Sequence, residues 1–273
     1  MKIAIAFCAH KRNDLTRLCI EHLNTLKQQF DIEIVVCSTI GEKYENCHNI
    51  EAKNFPVSQK HNTLFEFCKT LKVDGIILIG SDDFLSKERL EWYFETCKKG
   101  TQSLINVSNV HFYSTKTKEL GFYNVEKPQL GGGRFFSKWV LDKLDWKPWG
   151  ELEINKGLDT NSGIYMEKMG IKSKTLEPLG MFLGVHHTIN TSSDARLIMS
   201  EKVDNKLIEQ EFGEIGTKIL ELERPPIADP KNFEGVRTIR TTSKSHSGAG
   251  KTKEVEAYTA YLLVRSGRAI YID

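Results

Sequence analysis

The sequence predicts an α/β fold with a mixed, mostly parallel sheet flanked by helices, and a small α+β appendage at its C-terminal end. Three observations predict it. Short apolar runs alternate with amphipathic stretches over about the first hundred residues, as in β-α-β units with right-handed crossovers. Shorter and less regular runs follow, including strand-like and helix-like segments around a glycine-rich turn. The segment Arg224-Pro225-Pro226-Ile227-Ala228-Asp229-Pro230 then stops both helix and central strand, because proline lacks the backbone donor and clashes inside a helix. The expected division is residues 1–224 for the main domain, 225–230 for a linker and 231–273 for the appendage.

Each element has a local reason. Lys2–Cys8 is a short apolar run and reads as the first strand. Asn13–Phe30 carries Leu15, Leu18, Cys19, Leu23 and Leu26 at helical spacing. Ile32–Cys37 is a second strand, and Ser58–Leu71 is a helix burying Leu64, Phe65, Phe67, Cys68 and Leu71. Val73–Ile79 is a third strand and Ser86–Cys97 the next helix. Beyond them, Ser103–Tyr113 and Gly121–Val125 read as strands, Ser137–Leu144 and Thr160–Met169 as helices, and Trp146–Gly150 as a loop. Lys172–Glu177 and a short run ending at His187 read as strands, and Lys202–Phe212 as a helix. The appendage is expected to hold a strand (Gly235–Thr241), a loop (Thr242–Lys253), a helix (Glu254–Ser266) and a last strand (Arg268–Ile272).

Composition excludes several classes. A chain of 273 residues with 40% hydrophobic and 27% charged residues can bury a full core and is not a disordered segment. A net charge of +2 gives no global field, so contact with nucleic acid would need a local patch. No apolar run approaches the roughly 20 residues of a membrane span, so no membrane partner is expected. The opening segment turns polar at His10-Lys11-Arg12 and reads as a strand and not as a signal peptide. The six cysteines (Cys8, Cys19, Cys37, Cys47, Cys68 and Cys97) form no C-x-x-C pair and mostly sit in apolar segments. They read as free thiols of a reducing, cytoplasmic setting.

Chemistry concentrates where the third strand ends. Asp74-Gly-Ile-Ile-Leu-Ile-Gly80-Ser81-Asp82-Asp83 places two adjacent carboxylates at the carboxyl end of a buried strand. Open α/β sheets bind ligands at that edge. Paired carboxylates repel unless a cation lies between them, and a hard divalent ion (Mn²⁺ or Mg²⁺) held this way keeps positions free for phosphate oxygens. The plainer reading is a helix cap, since Asp83 precedes the run from Ser86. Trp146 and Trp149 read either as a stacking face for a sugar or base or as core anchors.

In order along the chain, the motifs resemble a nucleotide-sugar glycosyltransferase of the GT-A fold, near its large inverting family two. The likeness spans about residues 1–200. It rests on the opening strand with Ala9-His10-Lys11-Arg12-Asn13-Asp14, on Asn54-Phe-Pro56-Val-Ser58-Gln-Lys60-His-Asn62, and on Gly80-Ser81-Asp82-Asp83. It continues through Gly131-Gly132-Gly133-Arg134, Gly157-Leu158-Asp159-Thr160 and Val185-His186-His187. The resemblance implies a nucleotide-sugar donor, a UDP-sugar first of all, and a sugar class among hexoses or pentoses. It implies a divalent cation on Asp83, with Asp82 as second ligand or ribose contact and His187 or His186 completing the shell. Donor contacts would come from His10, Lys11, Arg12, Lys60, Asn62, Ser81, the glycines 131–133 and Arg134. Asp159 would be the base that takes the acceptor's proton, against the plain reading of a helix cap. Ser81 departs from the Asp of the family's metal motif, and Leu158 from the Glu that usually precedes the base.

The acceptor is open at this level: a glycan hydroxyl, a protein side chain, or a hydroxymethylated base of DNA. From Val236 to Asp273 seven lysines and arginines face three acids, a surplus of four that suits either a solvated tail or a foothold on a polyanion. The tail also resembles small tail modules found in phage proteins. Two alternatives stand beside the transferase. A nucleotidyltransferase of similar fold would open with a glycine-rich loop after the first strand, and Ala9-His10-Lys11-Arg12-Asn13 has no glycine. A non-catalytic sugar-nucleotide or virion-associated binding protein would have no need of acids at both 83 and 159.

Overall fold

The computed structural model describes residues 1–9, 13–39, 41–98, 103–124, 131–155, 157–186, 200–222, 236–241, 252–256 and 269–271. The chain divides into two compact units, Met1–Glu223 and Arg224–Asp273.

The first unit is built on a seven-stranded sheet. Its strands are β1 (Ile3–Cys8), β2 (Ile32–Thr39), β3 (His48–Ala52), β4 (Gly75–Leu78), β6 (Leu104–Val107), β9 (Arg134–Ser137) and β10 (Ser173–Leu176), in the order β10-β6-β9-β4-β1-β2-β3. All run the same way except β9, which pairs antiparallel with both β4 and β6. A smaller five-stranded sheet has the order β12-β8-β7-β11-β5. Its members are β5 (Asp83–Leu85), β7 (Asn109–Ser114), β8 (Glu119–Asn124), β11 (Phe182–His186) and β12 (Glu201–Val203). The helices are α1 (Asn13–Lys27), α2 (Val57–Thr70), α3 (Lys87–Lys98), α4 (Lys138–Lys143) and α5 (Leu158–Lys168). Two more, α6 (Lys206–Phe212) and α7 (Glu214–Glu221), complete the unit.

Strands buried on both faces divide their side chains between two cores. Ile3, Ile5 and Phe7 of β1 join Leu15, Leu23, Leu90 and Tyr93 of α1 and α3, together with the smaller sheet. Ala4 and Ala6 face the other way, with Leu64, Phe65, Leu141 and Met166 of α2, α4 and α5. β2 and β4 follow the same alternation, as the pleat requires. This double burial is why these strands read as near-continuous apolar runs. The mixed, mostly parallel sheet flanked by helices is the architecture expected from the sequence.

Several boundaries differ from expectation, each for a physical reason. The run 103–113 is two strands: the chain leaves the large sheet after Val107 and enters the smaller one at Asn109. Arg134–Ser137 is a strand, although it is too short to show a period; Ser137 then caps α4, accepting from the Val140 N–H. β3 and β5 were not expected, being five and three residues long. The stretch 202–212 begins as β12, and α7 follows α6 after a left-handed turn at Gly213.

The second unit holds a three-stranded antiparallel sheet of β13 (Val236–Thr241), β14 (Thr252–Glu256) and β15 (Ala269–Tyr271), in the order β14-β13-β15. The expected helix from Glu254 begins instead as β14, which alternates polar residues with Val255 and pairs along β13. The linker residues 225–230 lie outside the described residues.

Candidate functional site

The two adjacent acids sit where β4 gives way to β5. Gly80 to Asp83 form a turn: the Asp83 N–H donates to the Gly80 carbonyl at 3.2 Å, and the Gly80 N–H donates to Asp83 Oδ2. A Cβ on Gly80 would stand 2.7 Å from Asp82 Oδ1 and 2.8 Å from Asp83 Oδ2, so both carboxylates fold back over one turn. The turn is pinned from outside. The Asp82 carbonyl accepts from Val185 N–H at 2.8 Å, and Gly184 pairs with Asp83 across β11 and β5. On the other side, Cys19 Sγ and His22 Nε2 of α1 contact the carbonyls of Asp83 and Leu85. Ser81 is 3% exposed, inside this turn.

The glycine loop brings the third acid in. A Cβ on Gly132 would lie 2.9 Å from Asp83 Oδ2, and one on Gly131 only 1.9 Å from Asp159 Oδ1. Consecutive Cα atoms are about 3.8 Å apart, so these contacts hold the two carboxylates within roughly 12 Å of each other. No residue with a side chain fits at position 131 while Asp159 keeps this place. Gly133 fixes the loop to the sheet, its N–H donating to the Leu78 carbonyl at 2.8 Å while its own carbonyl accepts from the Tyr93 hydroxyl. Asp159 lies in the first turn of α5, but the cap position belongs to Gly157, in the left-handed region with φ of 62°. The capping reading of Asp159 therefore fails, and its carboxylate is turned to the loop.

A divalent cation was expected here. A Cβ on Gly184 would be 3.3 Å from Asp83 Oδ1, and the strand period puts His186 on that same face. His186 is 6% exposed and packs against Phe112 with ring centroids 5.0 Å apart. Among the described residues no three of His, Cys, Asp and Glu are grouped to cage an ion. Two carboxylates on one turn fit an ion of the kind that keeps its other positions for phosphate oxygens and water. His187, His10, Lys11 and Arg12, all expected at the site, lie outside the described residues.

Other expected contacts have different tasks. Lys60 is 2% exposed, its ammonium donating to the Ala9 carbonyl at 2.7 Å, Asn54 Oδ1 at 3.4 Å and Thr39 Oγ1 at 3.5 Å. It ties the ends of β1 and β2 together. Asn62, also 2% exposed, donates to the Gly150 carbonyl at 2.7 Å and accepts from Trp149 N–H at 3.2 Å. Trp146 and Trp149 are core anchors with no open face, and their indole N–H groups donate to Asp142 Oδ1 and the Leu158 carbonyl. Arg134 reaches toward α5. Its Nη1 donates to Ser162 Oγ at 3.0 Å and to the Asp159 carbonyl at 3.3 Å. Burial pulls its pKa down from the ordinary value while the Asp159 charge pushes it up.

One neighbour was missed. Asn106 is the last residue but one of β6, near the same sheet edge, and carries no sequence motif. A cavity of about 450 Å³ also exists, lined by Arg17, Glu21, Tyr44 and neighbours on α1 and the loop after β2. None of the acids of the candidate site lines it, so its size does not make it the site.

No protein-family model matches the chain, and no curated protein matches it. Among solved structures, the chain is similar to residues 1–349 of Staphylococcus aureus TarS in complex with UDP. That alignment has 13% identity and a TM-score of 0.48, covering 81% of this chain and 70% of the other. A second TarS structure of the same residues gives 14% identity and a TM-score of 0.47, covering 82% and 67%.

Proposed function

We propose that the chain moves a sugar from a nucleoside-diphosphate sugar, a UDP-sugar first of all, to an acceptor hydroxyl with inversion at the anomeric carbon. The observation that supports it is the convergence of Asp83 and Asp159 on two consecutive glycines. In this reading one carboxylate would help neutralise charge on a leaving diphosphate, and the other would serve as base for an incoming hydroxyl. Between them the backbone carries no Cβ, so a sugar can approach the main chain closely.

In this reading Asp159 accepts the acceptor's proton as its oxygen attacks the anomeric carbon. The bond from that carbon to the diphosphate oxygen breaks, and the nucleoside diphosphate leaves with the electron pair. Asp83 and Asp82, with His186 on the same face, would hold a divalent cation, which when bound neutralises charge on the departing diphosphate. Arg134 holds the first turn of α5 by bonding to Asp159 O and Ser162, which keeps the base oriented.

The test is a donor screen. Purified protein is incubated with UDP-, GDP- and dTDP-sugars, with manganese or with a chelator, and products are read by mass spectrometry. Release of a nucleoside diphosphate from one donor class, dependent on added metal, is the expected result. No nucleotide release from any donor would sink the reading.

A further inference from the structure

We propose that Asn106 and Arg134 form a subsite for a hydroxyl of the transferred sugar, beside Asp159; this rests on the transferase reading. Two buried polar atoms carry the inference. Asn106 is 7% exposed and Arg134 is 4% exposed. Asn106 Oδ1 and Arg134 Nε are both buried without a hydrogen-bond partner among the described residues. One is an acceptor and the other a donor. A buried polar group without a partner costs about 1–3 kcal/mol, so an unfilled pair at one place calls for an occupant.

The sheet puts the two residues side by side. β6 and β9 are antiparallel, with Leu104 opposite Phe136 and Ile105 opposite Phe135. Continuing that register sets Asn106 opposite Arg134. Leu104 and Phe136 belong to the core under α2, α4 and α5, whereas Ile105 and Phe135 belong to the other core. Alternation therefore puts Asn106 and Arg134 on the α5 face, where Arg134 already reaches Asp159 and Ser162. β6 runs parallel to β4, so Asn106 lies at the same carboxyl edge as Asp82 and Asp83. The next residue, Val107, stands 3.0 Å from where a Cβ on Gly133 would be.

The chemistry suits a hydroxyl. A sugar hydroxyl both donates and accepts, so it can give its proton to Asn106 Oδ1 and take one from Arg134 Nε. A hydroxyl-directed pair also discriminates: a donor whose hydroxyl is missing or misplaced leaves both buried groups unfilled.

The experiment compares the unaltered protein with Asn106→Leu, which has nearly the same shape and no polar atom. Three readouts are taken: the melting temperature, UDP affinity by calorimetry, and hydrolysis of UDP-glucose, UDP-galactose and UDP-N-acetylglucosamine. Removing an unfilled acceptor should leave the melting temperature equal or raised, and UDP affinity within about twofold. kcat/KM for the preferred donor should fall at least about tenfold, and more than for the other two, so that donor preference shrinks. If Asn106→Leu does not fold, Asn106→Ala serves with the same readouts. Unchanged hydrolysis of all three donors would mean that the pair holds only water and would overturn the subsite. A lowered melting temperature with uniform loss across donors would make Asn106 structural and overturn it equally. Absence of turnover in the unaltered protein would instead overturn the transferase reading, and the subsite with it.

Discussion

Asp83 gives one carboxylate oxygen to the Gly80 N–H and has the other near Gly184, so charge and hydrogen bonding at this residue can be separated. Asp83→Asn keeps an oxygen for the Gly80 N–H and removes the charge. It should melt close to the unaltered protein, while metal-dependent donor hydrolysis falls by about a hundredfold or more. Near-normal turnover in that variant, with a chelator present, would end the metal reading. Asp159→Asn should lower kcat by about two to four orders of magnitude with little change in donor affinity. Unchanged kinetics would move the base elsewhere, to Glu151 or Glu153 first. Both acids stand out in the sequence as candidates because an apolar strand ending in carboxylates, and an acid at a helix start, are local patterns. The destinations of Lys60, Asn62 and Trp149 were not legible. Each has a partner far away in the sequence: Ala9, 51 positions from Lys60, Gly150, 88 from Asn62, and Asn62, 87 from Trp149.

Within α5 and the loop that faces it, two glycines have opposite surroundings. A Cβ on Gly163 of α5 meets nothing within 4 Å, whereas one on Gly131 would overlap Asp159. Gly163→Ala should therefore stabilise the protein by about 0.5–1 kcal/mol, the helical preference of alanine over glycine, with donor turnover unchanged. Gly131→Ala should cost turnover strongly, because Asp159 or the loop must move. Equal kinetics of Gly131→Ala and the unaltered protein, measured beside their melting temperatures, would remove the loop from the site. The helices α1 to α3 were legible from the helical spacing of their apolar residues, and the long strands β1 and β2 from near-continuous apolar runs. The short strand β9 was not. Its four residues are all buried, and only pairing on both sides with β4 and β6 makes them a strand.

The whole molecule should lose stability in mild acid. Burial, with Arg89 nearby, pushes His111 down to about 4, and burial likewise pushes His61 down to about 4. Both are held neutral in the fold and prefer a proton once unfolded, so their contribution is full above about pH 6.5 and is lost as pH falls toward 4. His111→Phe keeps a ring against Phe122, so its melting temperature should fall less between pH 6.5 and 4. Equal slopes for both proteins would contradict this assignment. The division at Glu223 leads to a second expectation: a chain ending there should fold and keep donor hydrolysis, and any acceptor contact made by the basic tail should weaken with salt. Loss of donor hydrolysis on truncation would join the tail to the catalytic unit. The central claim, that Asp83 and Asp159 serve one site across the glycine loop, is tested most directly by a crystal structure with UDP and manganese. Anomalous scattering should place the ion on the Asp83 carboxylate, with the diphosphate beside Gly131 and Gly132. UDP bound instead in the cavity beside Arg17 and Tyr44, with no ion at Asp83, would contradict it.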